Sequence, residues 1–581
     1  MKKSIIVLLV AIAFQYSTKA QTEEKNVGSV EINVVDQYKA SIKEPSKITD
    51  QPGFADTTTK KLPVNYGINP ELLRFSFSPK PIQPVKVSGV RLQKLPKNMV
   101  RLGAGNYTSA LAEVVLSNSR SQTFNWDVAL RHFSSQNGVK EIAYDKSPFM
   151  ENELRLGGKW LLRDFRLRAG VGADFNSFSY YGIPDGTNEA LFPKDLQKNA
   201  YQRYFGTVEL ERVFQKSLQI FQKAGINYQY FTNNWNTSEH LLTLGTDWIY
   251  PKKVEDHIIG AALNANWLSA NIGTIATESS QLNVQFFPKA IGKLNWFNYT
   301  LGLNFNFYNT TTNLNAIGQN NFSMYFFPEI AIQAELARNV LSVFAGWTGN
   351  VTMNGLHSLT EQNPYFAPTA ALTPAREVLT PTATNRLYGG LEGAVAKNIS
   401  YKAEIGFNSV KNLALFYRSG DSLTIPVNNV NLPAFSVLYV KGQYADIRGE
   451  LTYSHKSTEV SGYAQFYNYT LQTGKDVDLK NPAHLPALKV GVDVSQKLKS
   501  KFDVRAGLAV VTGRKALEND GKIYVADMKN IWDARLDIGY NINNNLSAGL
   551  HFANLASQQY DLWLGYPAQR LRVMLSLMYK F

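Results

Sequence analysis

From Met99 to Phe581 one pattern keeps returning: apolar and polar residues alternate with a period of two. Successive side chains of a strand point to opposite sides, so each such stretch is a strand with one apolar and one polar face. In FRLRAGVGADF the apolar file is Phe165, Leu167, Ala169, Val171, Ala173 and Phe175, opposed by Arg166, Arg168 and Asp174. FNYTLGLNFNFY repeats it from Phe297 to Tyr308, KFDVRAGLAV sets Asp503 and Arg505 against an apolar file, and WDARLDIGY does so with Asp533, Arg535 and Asp537. The chain closes on LRVMLSLMYKF, where Leu571, Val573, Leu575, Leu577, Tyr579 and Phe581 alternate with Arg572, Met574, Ser576, Met578 and Lys580. So many two-faced strands need a common partner for their apolar side.

The first residues narrow what that partner is. MKKSIIVLLVAIAFQYSTKA places Lys2 and Lys3 before an apolar run from Ile5 to Phe14, then Thr18 and Ala20 at small positions. This is the pattern of a secretory signal peptide over residues 1–20, with the mature chain expected to start at Gln21. A membrane-spanning helix needs about 20 apolar residues, and no other stretch supplies them. An exported chain of 581 residues is then either soluble or crosses a membrane as strands. With no cysteine, disulfides, a lipidated N-terminal Cys, thiolate metal sites and a Cys nucleophile are all excluded.

The formal net charge is +14 with Lys2, Lys3 and Lys19 counted, and +11 without those three. The basic residues are scattered among 46 acidic ones with no long Lys/Arg run, so no nucleic-acid partner is expected and the excess suits anionic lipid or solutes. Aromatic residues make up 12% of the chain, led by 30 Tyr and 32 Phe, a choice that fits both strands and membrane interfaces.

Residues 21–97 are a different material. They carry Pro45, Pro52, Pro63, Pro70, Pro79 and Pro81 among Lys, Thr and Ser, with little periodicity, and read as an extended periplasmic or lumenal segment without its own core. Residues 98–581 read as one all-β unit whose connections alternate in length. Short ones are NSRS (Asn118 to Ser121), LLRD (Leu161 to Asp164), LARN (Leu336 to Asn339), VAKN (Val395 to Asn398) and NINNN (Asn541 to Asn545). Long ones are Ser134 to Met150, Tyr180 to Asn199, Asn309 to Asn321, Met353 to Pro381, Gln472 to Pro486, Thr512 to Asn530 and Ala556 to Ala568. Tight turns at one rim and long loops at the other mark a transmembrane antiparallel β-barrel, here of about 22 strands within a range of roughly 20 to 24. Its place is the cell outer membrane, with both termini expected in the periplasm. Tyr579 and Phe581 are then a girdle pair and the C-terminal signal for the barrel-insertion machinery.

Three stretches together, RLGAGNYTSALAEVVL (Arg101 to Leu116), LYGGLEGAVAKNISYKAEIGFNSVKNLALF (Leu387 to Phe416) and LGYPAQRLRVMLSLMYKF (Leu564 to Phe581), resemble Bacteroidetes-type outer-membrane barrels grouped with TonB-dependent receptors. The resemblance covers the barrel and implies solute passage or binding through a plugged or partner-gated lumen. It implies outer-membrane lipid as surroundings and a TonB-type partner or a surface lipoprotein as possible company. The other reading is a barrel that serves as docking partner for a surface lipoprotein or an export apparatus. The N-terminal plug domain of that family has no counterpart in residues 21–97, although Val30 to Tyr38 resembles a TonB box. A lumen of about 22 strands is normally filled, and the candidates are residues 21–97, infolded loops such as Met353 to Pro381, or a partner.

No catalytic chemistry emerges. The histidines His132, His240, His257, His357, His455, His484 and His551 form no HExxH pair, there is no GxSxG elbow or phosphate loop, and GRKALENDGK (Gly513 to Lys522) reads as a polar loop. An enzyme, a metal and a cofactor are therefore not expected. The candidate functional residues are the polar-face charges Arg166, Arg168, Asp174, Arg203, Glu209, Glu211, Asp503, Arg505, Asp533, Arg535, Asp537 and Arg572, as solute contacts or as ion pairs holding a polar wall.

Overall fold

The computed structural model describes residues 98–118, 121–137, 139, 147–182, 198–213, 219–251, 257–273, 276–314, 317–368, 379–419, 424–425, 430–431, 434–472, 478–479, 482–499, 501–519 and 523–581. The signal peptide and the segment 21–97, with its Val30 to Tyr38 stretch, lie outside the described residues. The main sheet has 25 strands; apart from the short Asp478–Leu479, Lys515–Asn519 and Ile523–Asp527, 22 of them form a closed antiparallel ring. The last strand, Arg572–Lys580, pairs with the first, Met99–Gly105, from Met99 opposite Lys580 to Gly105 opposite Met574. Phe581 completes the seam, its N–H and C=O both bonded to Asn98 at 3.1 Å. A closed ring leaves no edge at this junction, so every backbone group there is satisfied inside the sheet.

Alternation sorts the side chains as the sequence pattern requires. On the last strand Leu575, Leu577 and Tyr579 are 58%, 52% and 49% exposed, whereas Met574 and Ser576 between them are 0% and 4% exposed. The outer face is thus apolar and bare, the surface of a protein whose solvent there is lipid. Exposed aromatics collect towards the rim holding Asn98 and Phe581, among them Trp126, Trp160, Trp296, Tyr540 and Phe581. A second set, including Phe175, Tyr204, Tyr228, Trp267 and Phe307, lies towards the other rim. These are the two interfacial girdles of a membrane barrel.

All connections at the rim of Asn98 and Phe581 are short. At the opposite rim they are mixed: long ones follow Ser135, Ser179, Thr352, Ser419, Gln472, Thr512 and Ala553, but the strands also meet there in tight turns after Gly105, Asn233, Ile272 and Leu314. Asn309 to Asn321 is therefore not a loop: the strands Phe297–Leu314 and Ile317–Ala337 run through it and pair from Leu314 opposite Ile317 downwards. Its Asn- and Thr-rich composition reads as a loop because strand portions beyond the apolar belt need no apolar face. Arg101 to Ser117 is two strands, folded at Asn106 to Thr108, with Tyr107 and Thr108 in the left-handed region at φ 60° and 54°. GRKALENDGK is not an open polar loop either: Lys515–Asn519 pairs with Ile523–Asp527, and Arg514, Ala516 and Leu517 are buried.

Candidate functional site: a cap inside the long-loop rim

Two long connections turn inward instead of outward. The first leaves the strand Leu341–Thr352 and forms a short helix, Leu356–Gln362, beginning at Gly355. Ser358 Oγ accepts the Gly355 N–H at 2.9 Å, and the carboxylate of Glu239, on the wall strand Thr237–Ile249, accepts the N–H of Leu356. The approach is close: a Cβ at 355 would lie 2.5 Å from Glu239 Oε2, so the carboxylate would have to shift. Glu239 is buried, and donors at a helix start are natural partners for such a carboxylate. Leu356 and Leu359 enter the central apolar cluster, and His357 meets the ring of Phe231 edge-on.

His357 is neutral in this setting. Burial, aided by the charge of Arg203, pushes its pKa down to about 3, so its 3.6 Å approach to Glu361 is not a charged pair. Beyond the helix, Asn199 Nδ2 donates to Pro364 O at 2.8 Å, and Tyr180, itself accepting from Trp235 Nε1, donates to Phe366 O at 3.4 Å. Phe435 then bridges the segment through its N–H to Tyr365 O and its C=O to the Ala367 N–H, both 3.0 Å.

The second inward segment lies between Ala553 and Arg572 and forms a small hairpin, Asp561–Trp563 with Tyr566–Pro567. Its turn needs Gly565, which has φ +76° and donates its N–H to Asp561 Oδ2 at 2.9 Å. Arg514 holds the hairpin by donating to Asp561 O and Leu562 O at 2.8 and 2.7 Å. The two segments meet ring on ring: Tyr365 and Tyr566 stack at 3.7 Å with an interplanar angle of 21°. Tyr181 closes the trio, packing edge-on against both, accepting from Tyr365 OH at 3.2 Å and donating to Pro567 O at 3.0 Å. Burial pushes all three phenols above their ordinary range, so they remain neutral donors. Trp563, Phe416, Phe435 and His484 extend the aromatic contact on one side. Between wall and cap lies a cavity of about 40 Å³, room for a few waters, lined by Phe149, Phe178, Asp533, Tyr560, Arg570 and Arg572 among others.

The charges singled out in the sequence occupy the wall beneath and beside this cap. Arg166 pairs with Glu211 and Arg168 with Glu209, both at 2.6 Å, and Arg203 Nε reaches Asp174 at 2.7 Å. Arg535 pairs with Asp493 at 2.6 Å and Asp537 with His551 at 2.7 Å. Asp503 accepts from Asn541 at 3.2 Å, and Arg505 stands opposite Asp537 in the register. Arg572 is buried with its guanidinium 5.1 Å from the centre of the Phe133 ring, and shares the cavity wall with Asp533. Sequence reading missed the set Arg101, Glu113 and Arg131, and the set Arg386, Glu404 and Asp446, in which Arg386 reaches Asp446 at 2.7 Å. Infolding of Met353 to Pro381 was among the expected ways to fill the lumen, and its residues 355–367 do turn inward; the second segment, between Ala553 and Arg572, and the individual cap residues were not anticipated. Their signal was apolar density inside connections, in NPYFAP and LWLGYP, where polar residues are the norm. Among the described residues no group of His, Asp and Glu is placed to hold a metal ion, and no helix is long and apolar enough to cross a membrane.

A closed antiparallel barrel of 22 strands, belted outside with apolar residues between aromatic girdles, is an outer-membrane β-barrel. No family model matches the chain, and no curated protein does. Solved structures do. The ferric-catecholate import receptor Fiu of E. coli K12, in its closed form, shares the fold at TM-score 0.60 and 12% identity, over 84% of this chain and 82% of that one. The siderophore receptor PiuA from Acinetobacter baumannii gives 0.62 and 11%, over 84% and 82%. The FrpB iron transporter from Neisseria meningitidis (F5-1 variant) gives 0.63 and 9%, over 84% and 83%. At such identities the likeness is one of fold: the barrel is folded like those of these receptors and this transporter.

Proposed function

We propose that the protein is an outer-membrane receptor that binds or admits a small solute through a lumen closed at its long-loop rim by its own infolded segments. The observation that carries this reading is the meeting of the two segments at Tyr365 and Tyr566, which brings buried rings from both inward connections together inside the long-loop rim. A cap made of neutral phenols and indoles suits recognition of an uncharged or aromatic part of a solute, and the paired wall charges below suit an ionic part. The import and transport functions in the names of the fold neighbours favour a solute of siderophore type. In this reading the long-loop rim is extracellular and both termini are periplasmic, Phe581 serves barrel insertion, and Val30 to Tyr38 is where a TonB-type partner engages.

Residues 21–97 carry the expectation of a tail lying against Glu209, Glu211, Asp533 or Asp537. Glu209 and Glu211 already hold arginines, so the tail has weaker reason to seal the wall than the cap has. The test is electrical. Tyr365→Ala with Tyr566→Ala, in a barrel that still inserts, is expected to raise conductance in planar bilayers, while removal of Thr22 to Pro84 leaves the barrel tight. If only the tail deletion opens the channel, the cap is not the seal.

A further inference from the structure

The wall also contains a seam, beside the strand from which the first inward segment leaves. The strand Ile317–Ala337 pairs with its predecessor from Ile317 to Ala334, but with its successor Leu341–Thr352 only below Ile330, which stands opposite Trp347. Past Trp347 the successor stays with Thr382–Ala396 up to Thr352 opposite Thr382 and leaves its former neighbour. The separation is built by side chains. Asn304 Nδ2 donates to Gly349 O at 3.0 Å and Asn283 Nδ2 to Val351 O at 3.4 Å, so amides on the inner face of the preceding strands take the carbonyls that a ladder would use. Tyr308 and Phe327 then pack on Val351 and Ala383, lapping one sheet over the other.

One consequence is a strand edge without a strand partner among the described residues: no strand pairs with Gly318–Pro328 on that side. Natural edges are guarded by charge, yet GQNNFSMYFFP holds no Lys, Arg, Asp or Glu, and its outward Phe322, Met324 and Phe326 are 66%, 49% and 56% exposed. Beside the point where pairing stops, a groove of about 430 Å³ runs along the outer wall from Trp347. Its apolar lining includes Leu387 and Phe407, and its polar lining includes the amides Asn385, Gln443 and Asn468. Lys411 and Lys441, both exposed, lie close in sequence to its Ser409 and Gln443.

We infer that this edge and groove form a docking site for an extended polypeptide segment of another protein. Its backbone pairs with Gly318–Pro328, its alternate apolar and amide side chains enter the groove, and an acidic residue at one end meets the lysines. Free N–H and C=O groups call for peptide and give affinity, while the pockets for alternate side chains give selectivity. A lipid chain would satisfy the groove but not the edge.

The test uses the full-length protein in nanodiscs and a fluorescein-labelled peptide, LNFNFYNTTT followed by two aspartates, copying the strand that already pairs with the other edge. Saturable binding by fluorescence anisotropy is expected, weakened at least tenfold by Ala445→Trp, which fills the groove. Of Ser323→Pro and Met324→Pro, the one whose N–H faces the free edge should abolish binding while leaving the barrel heat-modifiable, because donors alternate between the two edges. The inference is overturned if the wild type shows no saturable binding or if Ala445→Trp binds as well as wild type. It is equally overturned if native mass spectrometry finds a phospholipid held by the wild type, lost in Ala445→Trp, that blocks the peptide.

Discussion

Gly355 and His357 show how single residues set the cap. A side chain at 355 would collide with the Glu239 carboxylate, so Gly355→Val is expected to lift the helix Leu356–Gln362 off the wall. Limited proteolysis should then cut faster near residues 353–368 while the barrel keeps its heat-modifiable migration; unchanged protection would mean the close approach is not needed. His357 adds a pH dependence. Its pKa is held at about 3 in the closed cap and returns towards its ordinary 6.5 when the cap opens. The closed state is therefore fully favoured above 6.5 and loses ground as pH falls from there towards 3, since only the open form takes up the proton readily. Glu361, its pKa raised by desolvation beside the cap although its side chain is 59% exposed, acts weakly in the opposite sense at the acid end of that window. Opening events in bilayers should become more frequent on moderate acidification in the wild type and lose that dependence in His357→Leu. Equal pH profiles would remove His357 from the account.

At the scale of elements, the strands were legible, and of the cap only the infolding of Met353 to Pro381 was among the expectations. Leu575 and Ser576 fall on the faces that alternation assigns, because a period of two depends only on neighbours along the chain. The turn within Val395 to Asn398 was equally readable, but the strand through Asn309 to Asn321 was not, since its Asn and Thr residues lie beyond the apolar belt that makes a membrane strand visible. Tyr365 and Tyr566 stand 201 positions apart in the numbering, and nothing local says that they stack. The wall charges were readable as a polar face, while their pairing depended on register. The terminal strand gives a direct test of face. Leu575→Arg places a charge in lipid, at roughly 2 to 4 kcal/mol near the midplane, and should impair assembly. Ser576 makes a poor control, being buried and bonded to His551 at 2.9 Å. Met578→Arg, on the same inner face and partly exposed, should assemble nearly as wild type. Equal loss at 575 and 578, read as the folded fraction on unboiled gels, would contradict the register.

The whole molecule is a barrel whose closure and cap are separate devices. Closure rests on the pairing of Met99–Gly105 with Arg572–Lys580, so the purified protein should run compact unboiled and near its 65.0 kDa mass after boiling. Identical migration in both states would count against a closed ring. The cap rests on a few aromatic contacts between two inward segments, and can change without unfolding the wall. Single-channel recording in planar bilayers tests this most directly, comparing wild type with the Tyr365→Ala, Tyr566→Ala double variant, both first shown to be heat-modifiable. The wild type is expected to stay closed for most of the record, and the double variant to show a stable, larger conductance. A double variant as tight as the wild type would contradict it.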